Sequence, residues 1–428
     1  MLGEPEPIDV EREIAALRAE VAAIRSQWRE GCQDEARAAE VRGIVRDALA
    51  DSATRSSFRG DGWSTGYDRG FFIRSADGCW SVRLNFLVQT RFVAAAASGP
   101  GGTATIDQTR WGFETRRLNV GLGGTIVDPS LSYEFLFSDQ SQTDRFISVP
   151  NTLRPLYAWV AKDFGHGWSA TVGLQNVPWD IESTMFGSSR LMAGDYSIFN
   201  YRFGVGKQPG ASVRHRSDSI RTVAGIYTQA GDITRGWDDP ANLSFAFATR
   251  TEVKWGADWS ELEVESSAPG DVPGFIAGLG FMWSGARGTN PQPPTSTLAT
   301  PAAAGFTADA RAVFGGTTLI GQFALMRDAV GSPELGWTCG ANAQASAYLT
   351  PTLEAFAEGS WTDDVPVPWI AQAGVNLHLD PRVLKLTCKV IVPFGPGDVN
   401  GIRAIAGGLG IAQADNDASF VAQLQVNY

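Results

Sequence analysis

Few residues in this 428-residue chain could do chemistry on a substrate. The three histidines, His166, His215 and His378, lie far apart, and none neighbours a serine motif that could supply a nucleophile. Cys32, Cys79, Cys339 and Cys388 show no CxxC spacing and read as small packing residues, not as ligands or a disulfide framework. Asp415 and Asp417, with Asp398 nearby, lack the spacing of a calcium loop and read as solvated acids. No catalytic residue, metal ligand or cofactor is therefore expected. What recurs is a basic residue in the middle of an alternating segment: Arg83 and Arg91, Arg117, Arg250 and Lys254, Lys385 and Lys389. A low-dielectric wall focuses the field of such cations and draws anions toward them. Acids on the same faces are fewer, with Glu134 and Glu252 the clear ones, and Glu252 stands two residues from both Arg250 and Lys254.

Segments of period two must position those cations. Trp80, Val82, Leu84, Phe86, Val88, Thr90 and Phe92 fall on one face, with Ser81, Arg83, Asn85, Gln89 and Arg91 on the other and Leu87 breaking the rule. The chain ends on the same pattern, Phe420, Ala422, Leu424, Val426 and Tyr428 alternating with mostly polar residues. About ten residues with one apolar and one polar face is the length and pattern of a membrane-spanning barrel strand. Further strands read at 80–94, 113–125, 131–138, 154–163, 168–176, 209–216, 219–229 and 243–255. The series continues at 273–285, 305–315, 317–328, 335–349, 352–362, 369–379, 383–392 and 419–428, which makes about sixteen in all. A Lys or Arg held against lipid at the bilayer midplane costs about 2–4 kcal/mol, so the seven basic residues should point inward. Phe245, Phe247, Val253, Leu384, Leu386 and Val390 then face outward, while the parity of 154–163 and 219–229 stays open.

The joints support a barrel. Val127-Asp128-Pro129-Ser130, Gly165-His166-Gly167, Ser217-Asp218, Gly315-Gly316, Thr350-Pro351 and Asp380-Pro381-Arg382 are short, and the joints between them are longer. Short turns on one rim and long loops on the other is the asymmetry of a transmembrane barrel. The acidic stretch 256–272 departs from it, being long on the short-turn side. The connection 177–208 is long, aromatic and charged, and should fold inward to narrow the lumen. Asn176, Glu182, Arg190, Arg202 and Lys207 are its candidate constriction residues.

Bulk properties agree. The chain is 43% hydrophobic yet has no run of about 18 apolar residues, so it could cross a membrane only with strands. Its 14 Trp and 23 Phe suit interface girdles, although a soluble all-β protein could hold them in its core. The net charge of −11 argues against a nucleic-acid partner. Upstream, Val10, Ile14, Leu17, Val21, Ile24 and Trp28 form an a/d seam, and a second helical stretch covers about 36–51. Residues 1–51 are thus expected to be a coiled-coil segment, 52–69 a linker, and 70–428 the barrel. The coil would sit in the periplasm and either join subunits or reach toward the cell wall; a helix packed on its own domain is the plainer alternative. Residues 1–30 hold no apolar secretory run, so export requires a signal already removed or lying upstream, against a cytoplasmic protein.

Val172-Gly173-Leu174-Gln175-Asn176-Val177-Pro178-Trp179-Asp180-Ile181-Glu182-Ser183, followed by Ser188-Ser189-Arg190-Leu191-Met192, resembles a segment of the phosphate-selective porin O and P family of bacterial outer membranes. That family reads there like V-G-Q-F-K-V-P-F-x-x-E-x-x-x-S-S-R. Arg116-Arg117-Leu118-Asn119-Val120-Gly121 and Gly374-Val375-Asn376-Leu377-His378-Leu379 with Leu384-Lys385-Leu386 are similar to it as well. The resemblance covers about 70–428. It implies a homotrimer of sixteen-stranded channels in the outer-membrane bilayer, an inward third loop, and a basic lumen that passes small anionic or polar solutes. Arg190 matches the family's loop cation, whereas Asn176 replaces its Lys, which bears on phosphate selectivity. Rival readings are a wall-linking barrel with a plugged lumen, a sugar-specific porin using Trp179, Tyr196, Phe199 and Tyr201, and an outer-membrane hydrolase.

Overall fold

In the computed structural model, residues 62–67, 70–95, 110–139, 154–185, 187, 189–228, 245–263, 266–284, 303–328, 336–363, 369–380, 383–394 and 418–427 are described. The coiled coil expected in 1–51 lies outside them. Two units are distinguished, Met1–Ser64 and Thr65–Tyr428. Within the segment read as linker, 52–69, stands a strand, β1 (Trp63–Tyr67), followed by β2 (Phe71–Ser75). The Gly and Ser around Trp63 and Tyr67 hid that strand from a reading based on composition.

The long strands then follow in order: β3 (Ser81–Ala95), β4 (Arg110–Ile126), β5 (Asp128–Asp139), β6 (Arg154–Gly165), β7 (Trp168–Asn176), β8 (Lys207–Arg216), β9 (Ile220–Thr228) and β10 (Phe245–Gly256). The second half holds β11 (Gly274–Ser284), β12 (Ala303–Val313), β13 (Thr317–Asp328), β14 (Gly336–Tyr348), β15 (Leu353–Thr362), β16 (Trp369–Asp380), β17 (Leu384–Phe394) and β18 (Ser419–Asn427). Each pairs antiparallel with the next, and β18 returns to β3, with Ser419 opposite Ala95 and Asn427 opposite Leu87. These sixteen strands, β3 to β18, close the sheet on itself. Below the end of β18, β2 takes the same edge of β3, Phe71 opposite Leu84 and Arg74 opposite Ser81. One strand of the barrel is therefore completed by two pieces from opposite ends of the chain. Closure leaves no row of unpaired backbone groups, which hydrocarbon would not tolerate.

Alternation places the side chains inside out relative to a soluble core. Leu279 is 66% exposed, Val172 62% and Phe113 78%, all on the outer face. On the inner face Gln89, Arg311, Thr387 and Gln423 are buried. Aromatic residues gather near both rims: Phe92, Trp111 and Phe113 touch at the long-loop end, and Trp255 meets Phe275 at the short-turn end with ring centroids 5.6 Å apart. The parity left open in two strands is fixed by outward Val160 in β6 and outward Ile226 in β9, with Tyr227 buried beside it.

The short turns rest on unusual backbone. Val127 and His166 take positive φ, 71° and 53°, and His166 sits between two glycines that do the same. In β4 the register slips between Gln89–Arg117 and Thr90–Thr115, which leaves Arg116 as an extra residue. A bulge of this kind lets two successive side chains face one side. Arg116 and Arg117 both point inward and are both buried, where strict alternation from Arg117 would have turned Arg116 to the outside.

A charged residue placed mid-strand on the outer face tests this polarity. Leu279→Arg should lower folding stability in vesicles by about 2–4 kcal/mol, read from urea titration. An equal loss on replacing Leu279 by Met would contradict the assignment of that face to lipid.

Candidate pore constriction

The segment between β7 and β8 is built as a folded unit. Asp180 accepts from the Ser183 backbone N–H at 2.8 Å and its hydroxyl at 2.7 Å, starting α1 (Ile181–Met185). Ser197 caps α2 (Ile198–Phe203) by accepting the Asn200 N–H at 3.0 Å. Glu182 ties the helices together, accepting both the N–H and the hydroxyl of Ser197 at 2.6 Å, and Gln322 Nε2 at 3.1 Å. Trp179 Nε1 donates to Phe203 O at 2.8 Å and closes the base of the loop.

One carboxylate fixes this unit to the wall. Asp195 accepts from Arg91 Nη1 at 2.8 Å, Arg116 Nη2 at 2.8 Å and Arg117 Nη2 at 2.7 Å. All four side chains are buried. Burial alone would raise the Asp195 carboxyl, but the charges of Arg116, Arg117 and Arg91 overcome it and hold it well below the usual carboxylate range. Arg91 also pairs with Glu114, and Arg116 donates to the Tyr201 hydroxyl at 2.5 Å. Wall side chains then bind the loop's carbonyls. Gln425 donates to Ser189 O at 2.9 Å, Lys385 Nζ to Leu191 O at 3.1 Å, Asn376 to Met192 O at 3.0 Å and Gln423 to Gly194 O at 3.1 Å.

A second anchor lies across the barrel. Arg250 grips Asp309 with two bonds of 2.7 Å, donates to Glu252 at 2.8 Å, and reaches Trp179 O at 3.1 Å. Two glycines on β11 make the room. A β-carbon at Gly278 would collide with the Arg250 guanidinium, and one at Gly280 with the Trp179 carbonyl oxygen.

The stretch 256–272 folds inward from the opposite rim. Its helix α3 (Trp259–Leu262) and Ala257 join Ile181, Met185, Leu191 and Met192 of the loop, with Ile276, Val313, Ile320 and Phe356 of the wall, in one apolar cluster. Trp259 Nε1 donates to Ser217 O at 3.0 Å, and Arg190 Nη1 of the loop donates to Glu263 O at 3.2 Å. Arg311 donates to Leu262 O, and Arg221 pairs with both Glu252 and Glu263.

Lumen filling is consequently one-sided. Described inward side chains of β10–β17 such as Glu252, Ile276, Asp309, Gln322, Asn342, Glu358 and Thr387 are buried. On β5–β8, Ser132, Glu134, Trp159, Thr171, Arg214 and Arg216 keep part or all of their exposure. They face inward because Phe135, Val160, Val172 and Val213 beside them face outward.

Of the residues picked from sequence, Arg91, Arg117, Arg250 and Lys385 are buried and bonded as above. Lys389 is buried, and its Nζ has no hydrogen-bond partner among the described residues. Arg83 is exposed at the short-turn end of β3. Lys254 donates to Ala257 O at 3.0 Å and lies 3.9 Å from Asp258. Glu182 is buried inside the loop unit, and Arg190 is exposed. Asn176 accepts from the Tyr157 hydroxyl at 3.0 Å, Lys207 Nζ lies 5.0 Å from the Tyr157 ring, and Arg202 lies 5.2 Å from that of Phe203. Asp195, Arg116, Asp309, Arg311, Arg214, Arg216 and Arg221 were missed. Strand parity could have found Arg214, Arg216 and Arg311, but nothing local marks Asp195.

No protein-family model matches this chain, and no curated protein does. Among solved structures it is similar to Salmonella typhi OmpF in complex with daunomycin, at 12% identity and a TM-score of 0.52, over 85% of this chain and 100% of that one. It is also similar to an anion-selective porin from Comamonas acidovorans, at 14% identity and a TM-score of 0.50, over 81% of this chain and 99% of that one. At such identities the likeness is one of fold.

Removing the Asp195 carboxylate would leave three buried guanidinium groups facing each other. Asp195→Ala should therefore cost about 3–5 kcal/mol, seen as a lower urea midpoint in detergent. It should also speed proteolysis within 189–203. An unchanged midpoint would mean the cluster does not hold the loop.

Proposed function

We propose that this chain is an outer-membrane channel through which small hydrophilic solutes diffuse passively, with a preference for anions. The observation that carries the reading is the one-sided filling of the lumen. A barrel of sixteen strands is wide enough for water, and here β5–β8 keep half-buried inner residues such as Glu134 and Thr171 and exposed Arg214 and Arg216, while the described inner residues of β10–β17 named above are buried.

The bore then runs between the loop and β5–β9. Its cations are Arg202, Lys207, Arg214 and Arg216, with Glu134 and Asp163 as acids on the same wall. Arg91, Arg117 and Arg250 act on the field less than the sequence suggested, because carboxylates neutralise them in place. One neighbour in fold is itself named as anion-selective, which agrees in direction. The segment resembling phosphate-selective porins supports oxyanions among the solutes, and Asn176 in place of Lys argues for a weaker preference. Assembly as a homotrimer, with the stretch 1–51 joining subunits or reaching the cell wall, belongs to the same proposal.

A plugged, wall-linking barrel is the second reading, favoured by how much of the lumen the two inward segments occupy. Single-channel recording in a planar bilayer under a salt gradient separates the two. A conducting pore with an anion-side reversal potential is expected, and Arg202→Gln with Lys207→Gln should move that potential toward zero. Absence of conductance would reject the pore, and a cation-side potential would reject the anion preference.

A further inference from the structure

We propose that the inner wall of the barrel carries a binding site for a neutral, polyhydroxylated ring of the pyranose class, formed by Trp159 with Glu134 and Lys207. The inference rests on the channel reading and adds a ligand site to it. Trp159 lies near the middle of β6 and faces inward, because Val160 beside it is outward and exposed. It belongs to neither of the two apolar clusters that seat the loop. Its indole is half-buried, so part of a large apolar ring faces the open side of the lumen.

In register, Trp159 has Glu134 of β5 on one side and Gly173 of β7 on the other, with Gly210 of β8 next in the same row. A β-carbon at Gly173 would collide with the Ala158 carbonyl oxygen, and one at Gly210 with the Tyr227 ring. Gln175, the next inner residue of β7, is folded down onto the wall. Its Nε2 donates to Thr171 O and to Gly210 O at 3.2 Å, and its Oε1 accepts from the Ser212 hydroxyl at 2.6 Å. The indole is therefore open toward β7 and β8 and has a carboxylate on the side of β5. Tyr157, two residues earlier on the same face of β6, leads from it toward Lys207, whose Nζ lies 5.0 Å from the Tyr157 ring. Glu134 and Lys207 are half-buried, and neither forms an ion pair among the described residues.

A sugar hydroxyl both donates and accepts. A ring that lays its C–H face on the indole finds an acceptor in Glu134 and a donor in Lys207, an apolar surface with a few polar groups to fix orientation. The charges of Glu134 and Lys207 act on each other. That offset disfavours an organic cation, the other ligand that an indole beside a carboxylate could hold. The aromatic residues of the loop are closed to this role. Trp179 and Phe199 are fully buried, the Trp179 N–H is bonded to Phe203 O, and the Tyr201 hydroxyl accepts from Arg116. The stacking surface available to a sugar is thus on the wall, in a strand whose aromatic residues the loop leaves half-exposed.

Maltotriose is a suitable probe. Added to the full chain in a planar bilayer, it should lower the salt current saturably, whereas a polyethylene glycol of similar size should lower it without saturating. Calorimetry on the chain refolded in a polyoxyethylene detergent, which has no sugar headgroup to compete, should return the same affinity. W159A should weaken that affinity about tenfold or more. E134Q, which keeps the shape and removes the charged acceptor, should weaken it by a smaller factor, and it carries the test if W159A fails to fold. Equal affinity in wild type and both variants, or no binding by the wild type, would overturn the site and leave the channel standing. Tighter binding of tetramethylammonium than of maltotriose would overturn the assignment to a sugar. Calorimetric binding that W159A loses, in a chain that shows no conductance, would instead reject the channel and keep the site.

Discussion

A single buried carboxylate, that of Asp195, holds three guanidinium groups together inside the barrel. Without it Arg91, Arg116 and Arg117 would place three like charges at close range away from bulk water. The attraction is worth having only because the geometry is dense: Glu114, Tyr201, Gln89 and the Gly194 carbonyl take further donors of the same arginines. The position of Asp195 sets that of its loop, and the loop sets which part of the lumen is filled. In the proposed channel, the bore against β5–β9 and the charges along it follow from where this carboxylate binds.

Counting cations by strand parity therefore overstates the positive field inside the barrel. Arg250 is held by Asp309 and Glu252, and Lys385 is spent on the Leu191 carbonyl. Such pairs place loop against wall. In the proposed channel, the cations that water reaches sit at the ends of strands and on the loop. A buried ion pair and a pore cation look alike in sequence because both need an inward position on a strand. They differ in whether a carboxylate from a distant segment arrives beside them.

That distinction marks how far the sequence could be read. All sixteen strands from Ser81 to Asn427 were legible from period-two alternation and turn chemistry, with ends within a few residues, because each strand turns an apolar face outward and a mostly polar one inward. Arg117 was placed correctly inward. Arg116 was not, since a bulge breaks the period at that one residue and leaves no mark in composition. Asp195 sits in an irregular segment, where no period says which way a side chain points. The strand at Trp63–Tyr67 was lost in a Gly- and Ser-rich stretch. The long joint 256–272 was noticed as irregular, but its partners come from 181–192 and from β11–β15, contacts that only the closed barrel creates.

That joint completes the physical logic. A sixteen-stranded ring encloses more space than one loop can fill, and an apolar cluster inside a polar lumen is stable only if it is covered on every side. Ile181, Met185, Leu191 and Met192 are covered partly by the wall and partly by Trp259 and Leu262, which enter from the other rim. Neither segment buries its apolar face alone. Their meeting, bridged by Arg190 and the Glu263 carbonyl, turns a wide cylinder into a half-filled one. In the channel proposed above, the path for solutes then lies off the barrel axis, against β5–β9, of which β7 carries the start of the motif resembling phosphate-selective porins.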